Sequence, residues 1–209
     1  NSVNELVVLG SEREKILQVL IDYIQIKKDN KEAVNLNFIC THNSRRSQFS
    51  QIWGQTAADY YGVVTNCFSG GVEVTAFNER AVESIRRIGF TVSATGEVNP
   101  MYKVLYGDNS NPILAFSKLY NHESSPVDNF AAIMTCSHAD ENCPFIPGTE
   151  ERIPLRYDDP KAFDQLSKSE YPEYGYLLML FEDHPYVSAY YVFLIWRYMF
   201  LVTTRLAVA

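Results

Sequence analysis

Cys40 and Arg46 lie six residues apart in Cys40-Thr41-His42-Asn43-Ser44-Arg45-Arg46-Ser47. They pair a sulfur nucleophile with a planar guanidinium able to clamp a tetrahedral oxyanion at two points. Two residues at that spacing often match by chance, so the setting matters. The loop follows the apolar run Val34-Asn35-Leu36-Asn37-Phe38-Ile39 and opens a stretch with helical periodicity. A loop entering a helix presents unpaired backbone N–H groups and the positive end of the helix dipole. The expected oxyanion-binding loop is therefore Thr41, His42, Asn43, Ser44, Arg45, Arg46 and Ser47, with Cys40 at its floor. Such a field favours a thiolate, and Ser47 can add a hydroxyl hydrogen bond to the sulfur. Arg45 either enlarges the positive field or faces solvent.

A second cluster reads Cys136-Ser137-His138-Ala139-Asp140-Glu141-Asn142-Cys143-Pro144, two thiols seven residues apart. Buried structural thiols are one reading, opposed by the polar residues between them. A zinc site through His138 is another, but the spacing is not that of a short metal hook and no second cysteine pair exists. The reading that fits best is redox. If the segment is helical, its ends lie about 10.5 Å apart along the axis, and a disulfide needs Cα atoms within about 7 Å. Joining the two would require the segment to unwind, a switch driven by oxidation. Downstream, Asp158-Asp159-Pro160 offers a carboxyl in a proline turn. It suits either a cap for the following residues or a proton donor and acceptor, Asp159 being the candidate.

The elements that must position these groups alternate. Ser11-Glu12-Arg13-Glu14 is a capping box, and Ile16, Leu17, Leu20, Ile21 and Ile24 recur at helical spacing, predicting a helix over 12–28 that covers a sheet face. Residues 34–39 predict a strand. Residues 47–61 predict a helix burying Phe49, Ile52, Trp53, Ala57 and Ala58. Residues 63–68 predict a second strand followed by a turn at Ser69-Gly70-Gly71. Residues 78–88 predict a helix ended by Gly89. Residues 94–127, rich in Asn, Gly, Pro and Ser, read as a hairpin-like insertion around Gly107-Asp108-Asn109. Residues 129–135 predict a third strand running into Cys136. Strand–helix alternation implies a parallel sheet with helices on both faces, and such sheets bind ligands at the C-terminal ends of their strands.

A chain of 209 residues has length for one ordinary core, and a net charge of −7 without a basic run argues against nucleic acid as a partner. Any anionic substrate must then be held by local field. Four cysteines in a chain of this length, with no apolar signal segment at its start, favour a reducing cytoplasm.

Together the motifs resemble the low-molecular-weight protein tyrosine phosphatase superfamily, and within it the thioredoxin-coupled arsenate reductases. The resemblance covers roughly residues 34–93 and 129–165, and rests on Cys40 to Ser47, Met134 to Pro144, and Asp158-Asp159-Pro160 in that order. It implies a phosphatase-I-like fold, an α/β three-layer sandwich with a central, mostly parallel four-stranded sheet. It further implies Cys40 as nucleophile, Arg46 binding the oxyanion, Asn43 shaping the loop, Ser47 tuning the thiol and Asp159 as acid/base. It also implies a relay: Cys40 attacks arsenate, Cys136 attacks the Cys40 sulfur, and Cys143 carries the disulfide outward to thioredoxin. Cys67 matches no relay position and reads as structural. No cofactor is implied. Some of these reductases hold a potassium ion near the loop, but Gln51 stands where a glutamate is expected, so no such ion and no other metal is predicted.

The same cradle serves phosphate esters, and a low-molecular-weight phosphatase working through a phosphocysteine is the alternative. Phosphatases of this group carry aromatic residues just after the Asp-Pro. Here Lys161 and Ala162 follow, leaving only Phe163 or Tyr157 to build that wall, and with the cysteine pair the reductase is favoured. A thiol sensor of oxidants would need neither Arg46 nor Asp159.

The expected organisation is an N-terminal helical extension over 1–33, the catalytic domain over 34–170 and an atypical tail over 171–209. Seven of the fourteen tyrosines and no lysine fall in those last 39 residues. Residues 186–202 are almost wholly apolar but short and interrupted by Arg197 for a membrane span, so a buried or partner-covered helix is favoured over membrane attachment, a shifted reading frame being a third reading.

Overall fold

The computed structural model describes residues 11–143 and 145–163; the expectations for 1–10 and for the tail over 171–209 lie outside the described residues. Four strands, β1 (Val34–Cys40), β2 (Thr65–Gly71), β6 (Phe130–Met134) and β7 (Thr149–Ile153), form a sheet in the order β2-β1-β6-β7 with every neighbouring pair parallel. The crossovers run through α2 (Arg46–Tyr60), α3 (Glu79–Arg87) and the short α4 (Ser137–Asn142). An antiparallel sheet of β3 (Thr91–Thr95), β4 (Met101–Leu105) and β5 (Ile113–Ala115) lies between α3 and β6.

Burial on both faces explains the central strands. Every residue of β6 is buried. Ala131 and Ile133 join one cluster with Leu36 and Phe38 of β1 and with Leu17, Leu20 and Ile24 of the N-terminal helix α1 (Ser11–Asp29). Phe130, Ala132 and Met134 join the opposite cluster with Ile39, Ala139 and Ile146. Alternate residues thus serve opposite faces, the period of a strand sandwiched between helical layers. The three layers follow: α1 and α2 on one face, the sheet, and α4 on the other.

Helix α1 is tied to β7 as well as packed on it. Lys27 Nζ donates to Glu32 and Glu150 at 2.6 Å each, and Tyr23 Oη donates to Glu150 at 2.8 Å. On the far side of α2, Phe49 and Ile52 meet Ala81, Val82 and Ile85 of α3 and Tyr102, Val104, Ile113 and Ala115 of the antiparallel sheet. That second core fastens the inserted sheet to the helix that follows the Cys40 loop.

Two local readings of the sequence need correction. Ser69-Gly70-Gly71 is not a turn: the β1–β2 ladder runs through Ile39–Gly70 to Cys40–Gly71. The glycines are there for close backbone approach. A Cβ on Gly70 would lie 2.2 Å from Tyr120 Cα, and one on Gly71 would lie 2.8 Å from Asn43 N. The inserted sheet also begins at Thr91, not at 94, because β3 pairs with all of β4; its largely exposed residues give no alternating apolar signal. The hairpin around Gly107 and the left-handed Gly89 after α3 (φ 103°) are as expected. Among the described residues no helix is long and apolar enough to cross a membrane.

Candidate active site

Cys40 ends β1 at the C-terminal edge of the parallel sheet, paired with Gly71 and 3 % exposed. The chain then loops into α2, and the loop is held from several directions. Thr41 O accepts from Val72 N and Glu73 N at 2.8 Å each. Ser117 Oγ donates to His42 O at 2.8 Å, and Asn78 N to Ser44 O at 2.9 Å. Asn43 takes a left-handed conformation (φ 46°), which asparagine tolerates better than most residues. Its side chain is the knot of the loop: Oδ1 accepts from Lys118 N at 3.0 Å and Nδ2 donates to Ser47 Oγ at 2.8 Å. Gln48 Nε2 donates to Asn43 O at 3.0 Å.

Ser47 Oγ lies 3.1 Å from Cys40 Sγ, and both are buried. Since an amide nitrogen only donates, Ser47 accepts from Asn43 and keeps its own hydrogen for the sulfur. The first turn of α2 adds the N–H groups that any helix start leaves without intrahelical acceptors.

Above the loop is a cavity of about 460 Å³ lined by Thr41, His42, Arg46, Cys136, His138 and Asp159 among others. Arg46 is 13 % exposed; its Nη2 donates to Asp159 Oδ2 at 2.9 Å and its Nη1 to Tyr157 O at 3.1 Å. Asp159 Oδ1 accepts from Lys161 N at 3.0 Å, a cap that leaves Oδ2 to Arg46. At the rim His42 Nε2 pairs with Glu73 at 3.3 Å. Arg45 is half-buried and does not line the cavity. Tyr157 lines it, whereas the Phe163 side chain lies outside the described residues.

The second cysteine motif meets the loop here. Thr135 N and Oγ1 both donate to Ile39 O, at 2.7 and 2.9 Å, bringing the end of β6 against the end of β1. Cys136 caps α4 in extended conformation and its Sγ accepts from Ala139 N at 3.4 Å. Thr41 Oγ1 bridges Cys136 Sγ at 3.4 Å and His138 Nδ1 at 3.2 Å. Cys143 follows the other end of α4, and Cys40, Cys136 and Cys143 share one buried cluster as free thiols. Burial pushes the Cys143 thiol up, with Arg152 pulling the other way. Cys67 lies in a different cluster, its thiol raised by burial and by Asp59.

Several supporting residues escaped the sequence. Asp140 of α4 is clamped by Arg152 and Arg156, with Arg156 Nε at 2.7 Å. Arg13 of α1 stacks 4.7 Å over the Tyr157 ring and donates to Arg156 O at 2.7 Å, so the N-terminal helix also braces the segment carrying Asp159. Burial raises the Tyr157 hydroxyl pKa, which Arg13 partly opposes. Gln51 accepts from Ser69 Oγ at 2.6 Å. Among the described residues no three His, Cys, Asp or Glu side chains converge as a metal site would need.

No protein-family model matches the chain. Curated relatives do. An arsenate reductase of Brevibacillus brevis is 29 % identical over 147 residues, 70 % of this chain and 85 % of that one. Arsenate reductase 2 of Staphylococcus saprophyticus is 30 % identical over 129 residues, 59 % of this chain and 76 % of its own length. Among solved structures, the thioredoxin-dependent arsenate reductase of Corynebacterium glutamicum superposes loosely, with a TM-score of 0.39 at 16 % identity over 94 % of this chain and 71 % of that one. The 30 % identity over 76 % of the Staphylococcus saprophyticus enzyme establishes kinship: the chain belongs to the arsenate reductase family.

Proposed function

We propose that the protein reduces arsenate to arsenite through a relay of Cys40, Cys136 and Cys143. Arsenate binds over the Cys40–Ser47 loop, its oxygens held by Arg46 and the N–H groups opening α2. The Cys40 sulfur attacks arsenic, and Asp159 protonates the departing hydroxyl, which leaves as water. Cys136 then attacks the Cys40 sulfur. The sulfur–arsenic bond breaks with its electron pair on arsenic, arsenite departs, and a Cys40–Cys136 disulfide remains. Cys143 attacks Cys136, freeing Cys40 and leaving a Cys136–Cys143 disulfide for an external dithiol of the thioredoxin type. Two thiols lose two electrons and arsenic gains them; the dithiol restores the start.

The observation that carries this reading is the gathering of three free thiols in one buried cluster, with Cys136 lining the cavity that Arg46 and Asp159 also line. Hydrolysis of a phosphate ester uses only the first of them. Cys40, Arg46 and Asp159 suffice for that chemistry, so slow aryl-phosphate hydrolysis is the expected side activity.

The Cys143→Ser variant tests the assignment. Arsenate turnover with thioredoxin should be lost while hydrolysis of an aryl phosphate persists. Unchanged arsenate turnover would remove the relay, and efficient phosphotyrosine turnover without arsenate reduction would favour the phosphatase.

A further inference from the structure

A second cavity, of about 670 Å³, lies between α2, β2 and the turn joining β4 to β5. Its walls include the apolar Val63, Ile113, Leu114 and Phe116, with Lys118 in the lining. Lys118 is only 4 % exposed, and its Nζ is buried with no hydrogen-bond partner among the described residues. The centroid of the Phe116 ring lies 4.6 Å from it. An aromatic face attracts an ammonium but accepts no hydrogen bonds of ordinary strength. A buried ammonium without a counter-charge is costly, and burial lowers the Lys118 pKa to about 8.

No carboxylate among the described residues meets this need. Asp59, the one acidic residue lining the cavity, is engaged by Gln55 Nε2 at 3.1 Å and by the Tyr106 hydroxyl. A spare donor lines the cavity instead: Gln51 Nε2 has only a long 3.5 Å contact to Leu114 O, its Oε1 being taken by Ser69.

We propose that this cavity binds a small organic anion, a carboxylate on an apolar body, whose charged group pairs with Lys118 and whose body lies against Ile113, Leu114 and Phe116. One unpaired cation matches one negative charge, and apolar walls match a hydrocarbon body better than a hydrated inorganic dianion. The backbone N–H of Lys118 holds Asn43 Oδ1, so the ligand would sit beside the support of the catalytic loop.

Benzoate is a suitable probe, titrated calorimetrically into the full chain with the catalytic loop saturated by phosphate. Saturable binding is expected, weakened about tenfold or more in Lys118→Met and largely restored in Lys118→Arg. Equal binding by wild type and Lys118→Met, or no saturable binding by the folded wild type, would overturn the proposal. If inorganic phosphate rather than benzoate shifted the Lys118 side chain, the ligand class would be wrong. Should Lys118→Met fail to fold, the 13C shift of the Lys118 side chain in the wild type decides. Movement that saturates with benzoate supports the site, and a stationary signal sinks it.

Discussion

The two thiol-bearing segments are built on opposite principles. The Cys40–Ser47 loop is tied from within: Asn43 joins Lys118 to Ser47, Ser47 touches Cys40, and Gln48 fastens the loop to α2. Helix α4 has six residues and is held from outside, by Arg152 and Arg156 on Asp140. Six residues lie far below the length at which a helix sustains itself in water. Binding a tetrahedral anion demands fixed donors, whereas closing a Cys136–Cys143 disulfide demands that the helix between them give way. One segment is therefore over-determined and the other held by a releasable clamp.

The largest expected effect comes from breaking the rigid side. Asn43→Ala removes the residue suited to φ 46° and orphans both Ser47 and the Lys118 N–H. Aryl-phosphate kcat, which reads the Cys40 step alone, should fall about 100-fold. The clamp should show a different signature. Asp140→Asn leaves Arg152 and Arg156 without their charged partner in the helical dithiol state, and costs the unwound disulfide state little. The Cys136–Cys143 couple should then shift about 30 mV more negative in a glutathione redox titration, a tenfold gain for the disulfide. An unchanged potential would mean that the clamp survives oxidation.

A smaller effect is expected at Arg152→Gln. Burial raises the Cys143 thiol and Arg152 partly offsets it, so removing the charge pushes that thiol higher. The thiolate is the attacking form, so the rate of the last exchange rises with pH in both proteins. The variant's curve should be displaced to higher pH in stopped-flow measurements.

The smallest effect on activity belongs to Cys67→Ala, outside both segments. Turnover should not change, and stability should drop by about 1 kcal/mol for the lost packing. Burial holds the Cys67 thiol protonated in the folded state, so unfolding lets it ionise. Its contribution is present below the ordinary thiol pKa of about 8.5 and is lost as pH rises toward the folded value. Denaturant melts of Cys67→Ala should accordingly lose part of the alkaline fall in stability.

Much of this arrangement was readable before any coordinates. The apolar run into Cys40, the helix after it, the helical periodicity of α1 and the glycine ending α3 are signals within a few residues of each other. Gly70 and Gly71 were misread because two glycines look alike in a turn and in a strand crowded by Tyr120 and the catalytic loop. Tyr120 lies 50 positions from Gly70, and Asn43 lies 28 from Gly71.

By itself the sequence determined the groups on offer: a thiol before a polar loop that carries an arginine, two further thiols spanning one short polar segment, and a carboxyl beside a proline. Short-range periodicity, capping and turn preferences suffice for that. Only the tertiary structure decided what holds these groups. The bond from Lys118 to Asn43 spans 75 residues, and those from Arg46 to Asp159 and Tyr157 span 113 and 111. Such partners are set by the strand order that brings the ends of β1, β2 and β6 together, and no local pattern encodes that order.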